Sequence, residues 1–165
     1  MKDTVIILGS SRSDGDTAKA VFKMQDITGC DYIDLNDYDI SYYDYEHENK
    51  IDDFLPLMKR VIQDYQNIIV ATPVYWYTMS GILKVFFDRV SDLLTIEKDL
   101  GRQLRGKGFG VISCCINSGV DKEFWHPFEK TSGYLGMPYL GNVHINSLEN
   151  DALFTGFIKE IEAKE

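Results

Sequence analysis

The stretch Val5-Ile6-Ile7-Leu8-Gly9-Ser10-Ser11-Arg12-Ser13-Asp14-Gly15-Asp16-Thr17 decides how this chain folds. Its apolar run predicts a buried strand, and apolar side chains recur at helical spacing from Thr17 onward. The segment between strand and helix is rich in glycine and hydroxyl groups and carries one cation, Arg12. A loop in this position receives backbone N–H groups and the positive end of the helix dipole, so the stretch predicts a phosphate-binding loop.

The spacing of the glycines excludes two common nucleotide-binding motifs. Gly9 and Gly15 are one residue too far apart for a P-loop, and Asp16 stands where its lysine would be. The dinucleotide fingerprint G-x-G-x-x-G would require glycine at position 11, which is Ser11. We therefore expect the loop to hold a single terminal phosphate. The alternative is an ordinary strand-to-helix connection in which Asp14 or Asp16 caps the helix.

Length and charge restrict the class of protein. The 165 residues, 44% of them hydrophobic, suit one domain over 1–165 with one core. A net charge of −9 disfavours nucleic acid and anionic membrane surfaces as main partners. No apolar stretch reaches the length of a membrane-spanning helix, and Met1-Lys2-Asp3 leads into the first strand without a signal-peptide pattern. These features predict a cytoplasmic protein.

The cysteines and histidines do not form a recognisable metal or disulfide pattern. Three cysteines are an odd number and contain no C-x-x-C pair, which argues against a disulfide framework and a zinc site. The histidines show no i, i+4 pairing with one another or with a cysteine. We expect no bound metal, and we expect the cysteines to be ordinary small core residues. The residues concerned are Cys30, Cys114, Cys115, His47, His126 and His144.

Short apolar runs alternate with amphipathic helical patterns along the whole chain. This alternation predicts a parallel sheet covered by helices on both faces. The predicted strands are 5–8, 30–35, 68–71, 109–114 and 139–145. The predicted helices are 17–25, 50–65, 81–94, one that begins at Pro127, and 150–163.

The loop after the third predicted strand carries three consecutive aromatic residues, Tyr75-Trp76-Tyr77. In a doubly wound sheet the loops at the carboxyl ends of the central strands meet where the strand order reverses, and ligands bind there. Three neighbouring aromatics on a loop cannot all face a core, and rigid aromatic surface beside a phosphate site suits a flat ring system. The alternative is that Tyr75 and Tyr77 pack under the next helix while Trp76 covers a partner subunit.

Three groups of residues together make the chain similar to a known family, the NAD(P)H-dependent FMN reductases of the flavodoxin-like fold. The groups are Gly9-Ser10-Ser11-Arg12 with Gly15 and Thr17, Pro73-Val74-Tyr75-Trp76 with Met79-Ser80-Gly81, and Lys84-Val85-Phe86-Phe87-Asp88-Arg89. The resemblance covers essentially the whole chain in order and spacing. It implies a flavodoxin-like, doubly wound α/β fold with a five-stranded parallel sheet of order 2-1-3-4-5 and helices on both faces. It also implies noncovalently bound FMN and a homodimer or homotetramer.

The resemblance also implies which residues bind the cofactor. The FMN phosphate would be held by Ser10, Ser11, Arg12, Gly15, Asp16 and Thr17. The isoalloxazine would be lined by Pro73, Val74, Tyr75, Trp76, Tyr77 and Met79, and its far edge completed by Asn117, Ser118 and Gly119. The family usually has asparagine where this chain has Asp16, and a carboxylate repels a phosphate dianion unless it turns away. Arg12 is the only cation of the segment, so it becomes more important as a ligand of the phosphate.

These features predict a flavoenzyme in which FMN takes a hydride from NAD(P)H and passes electrons to a small acceptor. The acceptor would be a quinone, a nitro or azo compound, a flavin or a metal ion, and the flavin rather than a catalytic side chain would carry the chemistry. One alternative is a flavodoxin-like electron carrier whose acidic surface docks on a redox partner. Another is a domain that has lost its cofactor and serves as an interaction protein.

Three further features give predictions of their own. Asp88 and Arg89 predict an ion pair on a helix or at an interface. His126 is expected just before a helix that rims the pocket, as a substrate contact or as an ordinary surface or capping residue. The acidic, tyrosine-rich segment 37–48 is either a lid, a partner-contacting loop or a solvated connection.

Overall fold

The sheet has the strand order that the resemblance to the FMN reductase family implies. The computed structural model describes residues 3–115 and 119–164. All strands of its five-stranded sheet are parallel, in the order β2-β1-β3-β4-β5. The strands are β1 Thr4–Leu8, β2 Asp31–Asp34, β3 Asn67–Pro73, β4 Gly108–Cys114 and β5 Tyr139–Ile145. The expected order 2-1-3-4-5 is therefore confirmed.

Helices cover both faces of this sheet. They are α1 Asp16–Thr28, α2 Phe54–Asp64, α3 Gly81–Arg89, α4 Asp92–Thr95, α5 Lys98–Gly101, α6 Lys122–Leu135 and α7 Asp151–Glu162. Short 3-10 turns span Leu35–Asp37 and Arg102–Leu104. None of the helices in the described part of the chain is long and apolar enough to cross a membrane.

Alternate residues of the central strands enter two separate cores. Val5 and Ile7 of β1 pack with buried residues of α2, α3 and α6 on one face. Ile6 and Leu8 pack with α1 and α7 on the other. Because side chains alternate along a strand, a fully apolar strand such as β1 has to be covered on both sides.

Helix α2 begins later than the periodicity of 50–65 predicts. The carboxylate of Asp52 accepts the backbone N–H of Phe54 at 3.0 Å and that of Ser41 at 2.9 Å. Asp53 in turn accepts the N–H of Asp39 at 2.7 Å. These side chains hold residues before Phe54 in turns, since Asp competes for backbone N–H groups outside helices. Pro56 then falls in the first helical turn, where the absence of an N–H is tolerated.

Two other helix predictions are wrong in their boundaries. The predicted helix 81–94 divides into α3 and α4, because Val90 and Ser91 N–H bond to the carbonyls three residues earlier. Pro127 lies inside α6 rather than at its start, so His126 is also a helical residue and not a residue before the helix. Pro127 is exposed, and α6 continues past it at the cost of one backbone hydrogen bond.

Candidate functional site

The loop after β1, residues 9–15 (hereafter the cradle), is the loop for which the sequence predicts phosphate binding. Gly15 is the N-cap of α1, and no side chain caps this helix. The alternative of an Asp14 or Asp16 cap is therefore wrong, and the N-terminal N–H groups of α1 point to the loop. The Arg12 guanidinium lies across the same helix end, where an added Cβ on Gly15 would be 3.3 Å from its Nε and Nη2. Glycine at this position leaves room for the cation at the positive end of the helix.

Hydroxyl groups surround this helix end. Ser10 is buried, and its Oγ accepts the Arg12 N–H at 3.4 Å, while Ser11 is exposed. Thr17 is buried in the first turn of α1. The Asp16 side chain is exposed and lies 3.7 Å from Lys19 Nζ, so this carboxylate has a cationic partner on its own helix. The loop thus brings together the hydroxyls, the glycine and the cation that the sequence predicted.

A further residue of this loop region was missed by sequence reasoning. The Asn36 side-chain amide donates to Ser10 O at 2.7 Å and to Ser13 Oγ at 3.3 Å. It also donates to the Asp34 carboxylate at 2.9 Å, which fixes the carboxamide at the end of β2. Asn36 therefore supports the cradle from the neighbouring strand. An asparagine just after a strand is common in turns, and no local pattern links it to residue 10.

The aromatic loop after β3 is a tight two-residue hairpin. Tyr75 and Thr78 exchange both backbone hydrogen bonds, with N···O distances of 2.9 and 3.1 Å. Between them Trp76 and Tyr77 have φ angles of 49° and 65°. Two central residues with positive φ are typical of a type I′ turn, which normally contains asparagine and glycine. Bulky side chains in this conformation store backbone strain, and such strain is concentrated at functional sites.

The hairpin exposes its aromatic rings. Trp76 is 92% exposed and Tyr77 81%, while Tyr75 is 46% exposed. Tyr75 and Tyr77 therefore do not pack under the next helix, so this half of the alternative is wrong, while contact of Trp76 with a partner subunit stays a prediction. Pro73 and Met79 are buried at the two bases of the hairpin. Val74, which is also predicted to line the isoalloxazine, follows Pro73 and is half-buried.

Ser80 joins the cradle to the hairpin. Its hydroxyl donates to Gly9 O at 2.6 Å and accepts the Leu83 N–H at 3.1 Å, which caps α3. The Ser80 N–H donates to Thr72 Oγ1 at 3.0 Å. An added Cβ on Gly9 would lie 2.6 Å from Leu83 Cβ, so glycine is needed for the loop after β1 to approach the first turn of α3 this closely. The predicted meeting of the loops after β1 and β3 is present.

The loop after β4 is described only in part. The predicted residues Asn117 and Ser118 lie outside the described residues, and Gly119 is exposed. Cys114, at the end of β4, is buried, and this burial raises the pKa of its thiol to about 12. A thiol held in its protonated form is a poor nucleophile, so Cys114 acts as a core residue.

The expected ion pair between Asp88 and Arg89 is wrong. Asp88 instead pairs with Lys84 at 2.6 Å on the surface of α3. Arg89 is fully buried, and its Nε donates to Asp92 Oδ2 at 2.8 Å while Nη1 and Nη2 bond to Asp52. Nη1 also donates to Ser41 O at 3.1 Å. Arg89 thus fastens the tyrosine-rich segment 37–48 to α3 rather than bridging an exposed helix surface.

The strain in the hairpin gives a testable prediction about stability. Tyr77→Gly should raise the free energy of unfolding by about 0.5–1 kcal/mol. A non-glycine residue in the left-handed region costs the folded state about 1–2 kcal/mol, and glycine removes this cost. The greater freedom of glycine in the unfolded chain offsets about 0.5–1 kcal/mol of that gain. Tyr45→Gly is the matched control, since Tyr45 is 83% exposed and has no positive φ. The control should lower stability. Urea denaturation compares the two, and equal losses would contradict the strained turn.

Comparison with known proteins identifies the family. The family model of NADPH-dependent FMN reductase matches residues 3–147. The Bacillus subtilis (strain 168) protein YwqN, whose name designates an NAD(P)H-dependent FMN-containing oxidoreductase, is 30% identical over 148 residues, covering 84% of this chain and 81% of that protein.

Two solved structures share the fold. The Trp repressor binding protein from Bacillus subtilis has a TM-score of 0.72 at 24% identity and covers 98% of this chain and 99% of its own. The flavoenzyme NAD(P)H:(acceptor) oxidoreductase FerB from Paracoccus denitrificans has a TM-score of 0.70 at 16% identity, covering 99% and 98%. The chain has a flavodoxin-like fold and belongs to the family of NADPH-dependent FMN reductases, FMN-containing oxidoreductases that use NAD(P)H.

Proposed function

We propose that FMN bound at the carboxyl end of β1 and β3 takes a hydride from NAD(P)H and passes electrons to a small acceptor. The candidate acceptors are a quinone, a nitro or azo compound, a flavin and a metal ion. The observation that supports this proposal is the hydrogen bond from the Ser80 hydroxyl to Gly9 O, which brings the loop after β1 beside the exposed aromatic hairpin. Membership of the family supplies the cofactor and the hydride donor.

The cradle has the donors that a terminal phosphate requires. The hydroxyls of Ser10, Ser11 and Thr17, the first N–H groups of α1 and the Arg12 guanidinium would hold it. Gly15 fits this role because its Cβ position is taken up by Arg12. The Asp16 carboxylate would remain with Lys19, which limits its repulsion of the anion.

The hairpin and its base would hold the ring system. Tyr75, Trp76 and Tyr77 offer flat exposed surface, and Pro73, Val74 and Met79 support it from below. The N–H groups of Tyr75 and Thr78 are used within the hairpin. We therefore assign those of Trp76, Tyr77 and Met79 to the negative charge of the reduced ring. Asn117, Ser118 and Gly119 are proposed for its far edge.

The oligomeric state and the cellular location of the enzyme are part of the same proposal. The exposed Trp76 and Tyr77 rings form apolar surface of the kind that commonly meets a partner subunit, which supports a homodimer or homotetramer. The acidic composition disfavours nucleic acid and anionic membranes as partners, and we propose that the reaction takes place in the cytoplasm. Size-exclusion chromatography with light scattering measures the assembly.

Anaerobic mixing with NADH and with NADPH tests the proposed reaction. The yellow absorbance of the FMN-loaded protein should disappear in one two-electron step with at least one nicotinamide. Adding an acceptor should restore the colour, because donor and acceptor would use the same flavin face in turn. The electron-carrier alternative predicts that both nicotinamides leave the flavin oxidised and that a one-electron-reduced form accumulates during dithionite titration. That result would overturn the reductase assignment.

A further inference from the structure

A cavity of about 320 Å³ lies at the opposite end of the strands from the proposed cofactor site. It is lined by segment 93–105, which leads into β4, and by residues 134 and 135 at the end of α6. The cradle and the hairpin follow the carboxyl ends of β1 and β3, whereas this segment comes before the amino end of β4. Small-molecule sites usually have volumes of about 300–1,000 Å³, so a ligand of moderate size fits here.

The shape of the cavity depends on close packing around it. Gly101 of α5 lies against α4, where an added Cβ would overlap the Leu93 carbonyl oxygen. The Arg105 stem lies against Gly136, where an added Cβ would be 3.2 Å from Arg105 Cγ. The Gly106 N–H also donates to Gly136 O at 3.0 Å. These contacts place α5 and Arg105 before any ligand binds, which lowers the entropic cost of binding.

The rim of the cavity is positively charged. Lys98, Arg102 and Arg105 line it, and no acidic residue of the described chain does so. Arg102 pairs with Asp99 at 2.6 Å, and both of these side chains are exposed. Within residues 3–115 and 119–164, the Lys98 ammonium and the Arg105 guanidinium form no hydrogen bond or ion pair. Two cations are therefore available to an anion that enters the cavity.

The end of α6 accounts for only part of this positive charge. The carboxyl end of a helix carries about half a negative charge, which favours one nearby cation. Arg105 has this position, because its stem lies against the C-cap residue Gly136. Lys98 and Arg102 exceed what the helix end requires, in a chain whose net charge is −9. The excess raises the local concentration of anionic ligands.

Apolar side chains adjoin these cations. Leu93 is buried beneath the cavity, and Leu94 beside it is 39% exposed. The Tyr134 ring, in the last turn of α6, is 79% exposed. An exposed ring of this kind offers a flat surface on which another aromatic ring can stack. A ligand that uses the whole cavity therefore combines an aromatic ring with an anionic group.

We propose that this cavity binds an aromatic ring that carries a phosphate group, of the nucleoside monophosphate class. Tyr134 would stack on the ring, and Leu93 and Leu94 would contact its edge. Lys98 and Arg105 would bind the phosphate, since guanidinium groups form paired hydrogen bonds with phosphate oxygens. The two negative charges of a phosphate match this excess of cations better than the single charge of a carboxylate.

Equilibrium dialysis against AMP and adenosine tests the role of the cations, with FMN-loaded protein that has been freed of unbound FMN. AMP should bind at least about tenfold more tightly than adenosine at low ionic strength, because adenosine lacks the charged hydrogen bonds. The preference should shrink in about 1 M salt, where the screening length falls to about 3 Å.

Two double variants locate the charge effect. Lys98→Ala combined with Arg105→Ala should remove most of the preference for AMP over adenosine. Lys159→Ala combined with Arg60→Ala removes the same charge from α7 and α2, outside the cavity. This control should leave the preference within about twofold of the wild type, because its cations lie away from the ligand.

Two tyrosines of nearly equal exposure test the ring contact. Tyr134→Ala should weaken AMP binding about three- to tenfold, the effect of removing one stacking ring. Tyr42→Ala should change it by less than about twofold, because Tyr42 is 80% exposed but does not line the cavity. Circular dichroism checks that each variant is folded. Since Tyr134 is exposed, its replacement tests the site even if the loss of Arg105 destabilises the protein.

The outcomes separate this site from the proposed reaction. Loss of AMP binding in the cavity variants alone supports the proposal, whether or not a nicotinamide reduces the flavin. Equal affinity for AMP and adenosine, or equal effects of the cavity and control variants, would overturn it. AMP binding that survives both cavity variants would show that AMP binds elsewhere and would overturn it as well.

Discussion

Replacing Arg89 with alanine is expected to lower the free energy of unfolding by about 3–5 kcal/mol, the usual effect of removing one partner from a buried ion pair. The Arg89 side chain is fully buried and binds the carboxylates of Asp52 and Asp92, which are themselves almost inaccessible to water. Alanine would leave both carboxylates without their cation and would release Ser41 O. Urea denaturation followed by circular dichroism measures the change.

Arg102→Ala is the matched control for this experiment. Arg102 pairs with Asp99 at 2.6 Å, but both side chains are exposed to water. An exposed ion pair of this kind contributes about 0–1 kcal/mol, so the control should unfold almost like the wild type. Similar losses in the two variants would show that Arg89 does not organise the fold.

The pH dependence of the Arg89 effect has a definite sign. Burial alone raises the pKa of the Asp52 carboxyl, but hydrogen bonds from Arg89 and from the Ser41 N–H outweigh it and leave the pKa below its ordinary value. A depressed folded pKa stabilises the protein above the unfolded pKa, and this contribution is lost as the pH falls through the folded value. The stability difference between wild type and Arg89→Ala should therefore decrease below about pH 4.

Arg12→Ala should weaken FMN binding by about 1.5–3 kcal/mol, the contribution of a hydrogen bond to a charged group. This corresponds to an increase of about tenfold or more in Kd. Riboflavin lacks the phosphate, so its affinity should be the same for wild type and variant. Fluorescence titration of the apoprotein with both flavins measures the two affinities.

Lys19→Ala tests whether any nearby cation has the same effect. Lys19 lies on the first turns of α1 and pairs with Asp16 at the surface. Its removal should change FMN affinity by less than about twofold, because exposed charges in salt interact weakly. Equal FMN affinity of wild type and Arg12→Ala would show that Arg12 does not bind the phosphate.

The fold could be predicted because its determinants are local. β1, β3 and β4 contain short apolar runs and each long helix has its own apolar stripe, so the α/β class follows from local sequence, whereas the strand order was implied by the resemblance to the family. The start of α2 could not be predicted, since it depends on Asp52 and Asp53 bonding to backbone groups of residues 39–41. The role of Arg89 could not be predicted either, since it is paired with Asp52, a residue far away in sequence.

The site was predictable to a similar extent. Loop 9–15 and the aromatic loop stand out by residue type, and Ser80 brings them together as the sheet topology requires. The left-handed backbone of Trp76 and Tyr77 was not predictable, because these residue types disfavour that conformation. The role of Asn36 was hidden for another reason, since its partner Ser10 lies on a neighbouring strand connection.

A crystal structure of the FMN complex would locate the phosphate and the isoalloxazine relative to loop 9–15 and the aromatic hairpin. We expect the phosphate to lie within hydrogen-bond distance of Ser10, Arg12 and the first N–H groups of α1. We also expect the isoalloxazine to lie against the hairpin formed by Tyr75 and Thr78. A phosphate bound away from loop 9–15, or a ring that does not contact the hairpin, would contradict the proposed cofactor site.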